Sequence, residues 1–188
     1  MRKPFDFKAW IAANEHLLKP PVGNKLLFED AETVVQIVGG PNQRVDFHDD
    51  PVEEFFYQLR GDMVLKVHLD GRIQDIPIRE GEVFLLPKHT PHSPQRPQPG
   101  SVGLVVEGRR PEGSKDAFEW YCFTCNGRVH RIELVVTDIV KDLPPLASQT
   151  LSEEELERLK NLGSNGPRDV EGLTMTHCVP NEHVVVTR

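Results

Sequence analysis

Between Lys25 and Glu107 the chain is written in short runs that favour strands: "TVVQIVGG", "EEFFYQLRG", "DMVLKVHL", "RIQDIPI", "EVFLLP" and "SVGLVVEG". Apolar and polar residues alternate within several of them, and turn-forming residues separate them, which predicts strands with one face turned to a core. Asp70-Gly71 falls between two such runs and predicts a two-residue hairpin, because both positions of that turn need positive φ. Six or more strands at this spacing predict a closed or double-sheet β architecture with a small barrel as its core.

The flanks differ. "DFKAWIAANEHLLKPP" sets Phe7, Trp10, Ile11, Leu17 and Leu18 at helical spacing, with Asp6 as N-cap and Pro20-Pro21 as stop, and predicts a short amphipathic helix. After "GRRPEGSKD" the composition shifts. "FEWYCFTCNGRVHRIELVV" reads as a turn-rich metal knuckle leading into a strand, and "LSEEELERLKNLG" as an exposed helix capped by Ser152 and Glu155 and stopped at Gly163. The expected organisation is a barrel with its N-terminal helix over residues 1–112 and a small C-terminal extension over 113–188.

Composition narrows the partners. With 22 Lys+Arg against 29 Asp+Glu the formal charge is −7, which repels phosphate backbones and anionic lipid, so nucleic acid and membrane surfaces are not expected. No apolar run approaches the roughly 20 residues of a membrane span, and "MRKPFDFKAW" has no apolar stretch behind its basic residues, so the expectation is a cytoplasmic, unexported protein. The three cysteines, two of them in Cys122-x-x-Cys125, suit a metal site better than a disulfide framework.

The candidate chemistry lies in two stretches. His48 stands among Asp46, Asp49, Asp50, Glu53 and Glu54, and spacing selects Glu54: His48, Glu54 and Gly61 form H-x5-E-x6-G, which resembles the first metal motif of the cupin superfamily. Gly81, Pro87 and His92 form G-x5-P-x4-H, which resembles the second. The usual H-x-H pair is reduced to His48, with Asp50 in the second histidine's place. Asp49, Asp50 and Glu53 read as solvated or structural neighbours, and His68 and His89 as bystanders. Two imidazoles and one carboxylate match the facial triad of non-haem Fe(II), which leaves coordination positions for substrate and dioxygen. Arg96 replaces the asparagine that often closes the second motif and offers a planar fork for a carboxylate. Arg44 could add a second cation. Glu107 is expected to point inward and to need a partner; an ion pair between Arg96 and Glu107 is the plainer alternative.

Beyond these motifs, "AWIAANEHLLKPPVGNKLL", "VQIVGGPNQRVDFHDDPVEEFFYQLRGDMVLKV", "FLLPKHTPHSPQRP", "VGLVVEGRRP" and "WYCFTC" resemble the 3-hydroxyanthranilate 3,4-dioxygenases, cupin enzymes of tryptophan catabolism. The resemblance implies a mainly β fold, a cupin-type double-stranded β-helix or jelly-roll barrel, in a cytoplasmic homodimer. It implies Fe(II) held by His48, Glu54 and His92, a substrate carboxylate on Arg96, the amino or hydroxyl edge on Glu107, and Arg44 at the dioxygen and substrate pocket. Glu54 would serve ion and substrate together. The implied reaction is extradiol opening of 3-hydroxyanthranilate by O2 to 2-amino-3-carboxymuconate semialdehyde, which closes without enzyme to quinolinate, a precursor of NAD. Members with a C-terminal extension carry two C-x-x-C pairs around a second metal, Fe or Zn. Here Cys122, Cys125 and Cys178 remain, Asn181 stands in the fourth place, and His130, His177 or His183 would have to complete the set. The competing readings are a metal cupin with another chemistry, either an isomerase or a dioxygenase on a different small acid, and a non-catalytic ligand-binding cupin.

Overall fold

The computed structural model of the chain describes residues 3–19, 23–122 and 125–136. Helix α1 (Phe7–Asn14) starts where its cap predicts: the Asp6 carboxylate accepts a hydrogen bond from the Ala9 amide at 3.0 Å, satisfying one of the free first-turn donors. A short 3-10 turn, Glu15–Leu17, continues it. Pro20 and Pro21 lie outside the described residues, as do the helix expected over 151–163 and Cys178.

Eleven strands follow among the described residues. The first six are β1 (Asn24–Leu26), β2 (Val34–Gly39), β3 (Phe47–Asp49), β4 (Glu54–Arg60), β5 (Met63–Leu69) and β6 (Arg72–Ile78). The other five are β7 (Val83–Leu86), β8 (His92–Gln95), β9 (Val102–Glu107), β10 (Asp116–Tyr121) and β11 (Arg128–Leu134). The six runs read from alternation are β2, β4, β5, β6, β7 and β9. Asp70 (φ 52°) and Gly71 (φ 74°) form the β5–β6 turn, with Leu69 paired to Arg72 across it.

The strands form two antiparallel sheets, ordered β1-β2-β9-β4-β7 and β11-β10-β3-β8-β5-β6. The expected small barrel is therefore realised as a two-sheet sandwich, with no ladder joining the sheets among the described residues. Alternation explains the sandwich: β4 and β5 each bury every second residue over most of their length. Phe56, Met63, Leu65, Val67, Ile78, Leu86 and Val105 form the inner core. On the outer face of the five-stranded sheet, Leu18, Ile37 and Val102 pack with Phe7, Trp10 and Ile11, so α1 and the turn after it cover part of that face. Each fully buried aliphatic or aromatic side chain contributes about 1.5–3 kcal/mol.

Two differences from the sequence reading bear on the site. "DAFEWY" is a strand, β10, whose register against β11 shifts between Trp120 and Tyr121, where a turn-rich segment was expected; all six of its residues are buried, so it shows no alternation to read. It pairs with β3, setting Phe118 opposite His48. The turn-rich part of that segment is confined to the β10–β11 hairpin tip, where the Cys122 amide donates to the Gly127 carbonyl and the Asn126 amide to that of Cys122.

Candidate metal centre and substrate pocket

His48 and His92 are directly paired across β3 and β8, and Glu54 opens β4 on the facing sheet. The three side chains are buried, with one ligand atom of each within 4.8 Å of the others. Glu54 Oε1 lies 2.8 Å from His92 Nε2 and 3.7 Å from His48 Nδ1. The other ring nitrogens are occupied. His48 Nε2 donates to Asp116 Oδ2 at 2.7 Å, and His92 Nδ1 to the Thr90 carbonyl at 3.0 Å. These acceptors fix the tautomers, so His48 Nδ1 and His92 Nε2 carry lone pairs toward Glu54. Phe118 stacks on His48 at 4.9 Å and 7°, holding the ring from a second direction.

Glu54 Oε1 is buried and accepts no hydrogen bond of acceptable geometry. Three lone-pair-bearing atoms thus converge on one point in a dry interior, an arrangement that a divalent cation relieves. The donor set fits a metal with mixed N and O ligands. The cluster also shows in its proton affinities. Burial opposes ionisation of Glu54, but the close approach of His92, with the charges of His48 and Arg110 behind it, holds its carboxyl down at about 2. Burial opposes protonation of His92, and Glu54 outweighs it, raising the imidazole above its ordinary range. Proton and metal compete for the same nitrogens.

Arg96 follows β8 and is pinned by two 2.7 Å backbone hydrogen bonds with Asn42. It is 1% exposed, yet its Nε and Nη2 have no hydrogen-bond partner. Taking a cation out of water costs several kcal/mol even after relaxation, so a guanidinium held this way needs an anion. Desolvation lowers its proton affinity to about 10, with Glu54 countering and Arg44 reinforcing that shift. Gly103 on β9 makes room for it: a Cβ there would stand 2.8 Å from Arg96 Nη2 and 2.8 Å from Gln58 Oε1.

Glu107 is buried at the end of β9. It accepts hydrogen bonds from Gln36 Nε2 at 3.0 Å and Arg110 Nη1 at 3.1 Å. The alternative ion pair between Arg96 and Glu107 does not form. Desolvation, then the nearby charges of Glu54 and Asp50, push the Glu107 carboxyl well above the usual range despite Arg110. Arg44 is partly exposed and ion-paired with Asp46. Its backbone is clamped by the Gln95 amide, which donates to the Arg44 carbonyl at 2.9 Å and accepts from the Arg44 amide at 3.1 Å.

The remaining acids and histidines separate by burial. Glu53 is exposed. Asp50 is 2% exposed and pairs with Arg110 at 2.9 Å, while Asp49 meets Arg131 at 2.8 Å and His89 at 3.2 Å. His89 sits in a turn at φ 57°. His68 stacks on Tyr121 at 3.9 Å and donates to the Asn126 carbonyl. Oxygens of Asp50 also gather with Asp116 and with Glu107 closely enough to suggest further cation points. There, however, the protein supplies its own cation in Arg110, which leaves His48, Glu54 and His92 as the open triad. Sequence reasoning did not single out Arg110, Asp116, Gln36 or Gln95. Cys122 is buried and Cys125 exposed at the hairpin tip.

The sequence matches the profile of the 3-hydroxyanthranilic acid dioxygenase family over residues 1–151. The chain belongs to that family. The 3-hydroxyanthranilate 3,4-dioxygenase of Jannaschia sp. (strain CCS1) is 61% identical over 163 residues, covering 87% of this chain and 91% of the relative. That of Brucella anthropi is 61% identical over 154 residues, 81% of this chain and 85% of its own. Among solved structures, a cupin-2 domain containing protein from Shewanella frigidimarina superposes with TM-score 0.43 at 17% identity, covering 56% of this chain and 94% of that one. The dioxygenase family fits a metal cofactor at the His/Glu cluster. No helix among the described residues is long and apolar enough to cross a membrane.

Proposed function

We infer that this protein is a 3-hydroxyanthranilate 3,4-dioxygenase that opens its substrate's aromatic ring with O2, using Fe(II) held by His48, Glu54 and His92. The observation that carries the reading is the buried Arg96, whose Nε and Nη2 have no partner and whose charge is felt by Glu54 of an open two-histidine, one-carboxylate cluster. A cation in that position calls for a carboxylate, and 3-hydroxyanthranilate carries one on its ring.

When bound, Fe(II) supplies the redox chemistry through which dioxygen reacts with an aromatic ring. The chain's own groups do the rest. Arg96 takes the carboxylate in a planar fork and sets the ring's orientation. Glu107, held by Gln36 and Arg110 and pushed toward its protonated form by burial, stands at the amino or hydroxyl edge and can hold or pass a proton there. Arg44, steadied by Asp46, borders the same pocket and adds positive potential. Phe56, edge-on to His92 at 6.3 Å, and Phe118, stacked on His48, keep the ligand rings dry. The product would be 2-amino-3-carboxymuconate semialdehyde, the precursor of quinolinate. A cytoplasmic homodimer completes the reading, from the family resemblance alone.

The test is anaerobic loading with Fe(II), addition of 3-hydroxyanthranilate, and admission of air. Stoichiometric O2 uptake together with the conjugated ring-opened product is expected. Binding without uptake would favour a ligand-binding cupin, and uptake only with another small acid a different dioxygenase. A second metal at Cys122, Cys125 and Cys178 is a separate proposal, supported by the Cys-x-x-Cys at the β10–β11 hairpin tip. Metal content per chain decides it: two ions with the knuckle filled, one without.

A further inference from the structure

We propose that Arg110 is a positioning residue that ties the metal face of the site to its substrate face. The proposal rests on the functional reading above and deepens it. Arg110 extends from the loop between β9 and β10, and its side chain is 13% exposed. Its guanidinium addresses three buried carboxylates at once. Nε donates to Asp116 Oδ1 at 2.8 Å and Nη2 to Asp116 Oδ2 at 2.7 Å; Nη2 also reaches Asp50 Oδ2 at 2.9 Å, and Nη1 reaches Glu107 Oε2 at 3.1 Å.

Each contact has a consequence one residue further on. Asp116 Oδ2 is the oxygen that accepts from His48 Nε2, so the fork that holds Asp116 sets the tautomer and tilt with which His48 presents Nδ1 to the metal point. A carboxylate behind a ligand histidine also raises the ligand's basicity. Glu107, gripped on its other oxygen by Gln36, is aimed by the third nitrogen of the same planar group. Because a guanidinium is rigid, displacing it from one carboxylate displaces it from the others. The metal ligand and the proton-handling acid, on different sheets, therefore share one reference point. A lysine cannot copy this: its single ammonium can satisfy Asp116 or Glu107 but lacks the fork to hold both in register.

The test compares Arg110→Met, Arg110→Lys and Asp116→Asn with the wild-type full-length chain. It reads Co(II) affinity from the visible absorption of the bound ion, and KM and kcat separately after Fe(II) loading. Arg110→Met is expected to weaken Co(II) binding by roughly 10–100-fold, the usual effect of losing a residue behind a ligand, and also to raise KM. Asp116→Asn is expected to weaken Co(II) binding and leave KM near wild type, since the isosteric amide loses the charge behind His48 but keeps an oxygen for Arg110, which stays on Glu107. Arg110→Lys conserves the charge and serves where the methionine variant does not fold; it should recover one of the two properties and not both. Wild-type values of both Co(II) affinity and KM in a folded Arg110 variant would overturn the proposal. So would an Asp116→Asn variant whose KM rises as far as that of Arg110→Met, because the two effects would then share a general loosening. Failure of the wild-type chain itself to bind Co(II) would instead overturn the metal reading.

Discussion

Glu54 and Glu107 are direct cross-strand partners on β4 and β9, both buried. Like charges set opposite each other in a sheet are destabilising, and the pair resolves the conflict by dividing its roles. Glu54, beside two imidazoles, is held ionised, while Glu107 is pushed toward its protonated form. Under the proposed function, such a division would give one carboxylate for a metal and one acid for proton handling from the same residue type.

That division predicts a pH dependence of stability. The Glu107 carboxyl has a folded-state proton affinity raised above the ordinary value of 4.5. Above that pH the unfolded chain releases the proton while the folded chain keeps it, so the folded state binds more protons and stability falls as pH rises. Glu107→Gln should flatten this decline in the metal-free protein between pH 5 and pH 8, although turnover drops. Urea midpoints across that range check it; an unchanged slope in the variant would show that Glu107 titrates normally.

Removing a triad histidine should act differently from removing the carboxylate clamp. His92→Ala is expected to abolish metal binding and activity together, measured by metal content after dialysis and by O2 uptake. His48→Ala should do the same, since neither ring has a substitute among the described residues.

Arg96→Met should retain the metal and lose chiefly substrate affinity, raising KM by an order of magnitude or more. The penalty should vanish for a substrate analogue lacking the carboxylate, such as 2-aminophenol. An apolar chain of similar length removes the desolvation cost of a buried cation that has no ion-pair partner, so the melting temperature should hold or rise. Unchanged affinity for the natural acid would remove Arg96 from the pocket.

Gly103→Ala tests the same guanidinium from behind. Its methyl would stand 2.8 Å from Arg96 Nη2, and overpacking of this kind costs about 1–3 kcal/mol. We expect a raised KM with unaltered metal affinity, read by substrate titration and by metal binding in parallel.

How legible these features were depends on which physical constraint wrote them. β4 and β5 could be read because they alternate buried and half-buried positions along most of their length, and β2, β6, β7 and β9 because β-branched and other apolar residues recur in them between turn signals. β10 could not, since it is buried over all six residues. β3 and β8 were hidden for another reason: "FHD" and "HSPQ" are short and polar because they carry the site itself. His48, Glu54 and His92 were recoverable because they keep fixed distances along the chain. Asp116, Gln36 and Gln95 were not, because their partners stand 68, 71 and 51 residues away, and no local pattern records a contact made only by the fold. Arg110 sits in "EGRRP" beside Arg109, which pairs with the exposed Glu32; nothing in the dipeptide says which arginine turns inward.

The triad draws His48 and His92 from one sheet and Glu54 from the other. Whatever ion sits among them is therefore a clasp across the sandwich, and its binding free energy is also folding free energy. The metal-loaded chain should melt higher than the stripped one and resist proteolysis longer. The supply of that metal would then govern how much of this protein survives as well as how much of it is active.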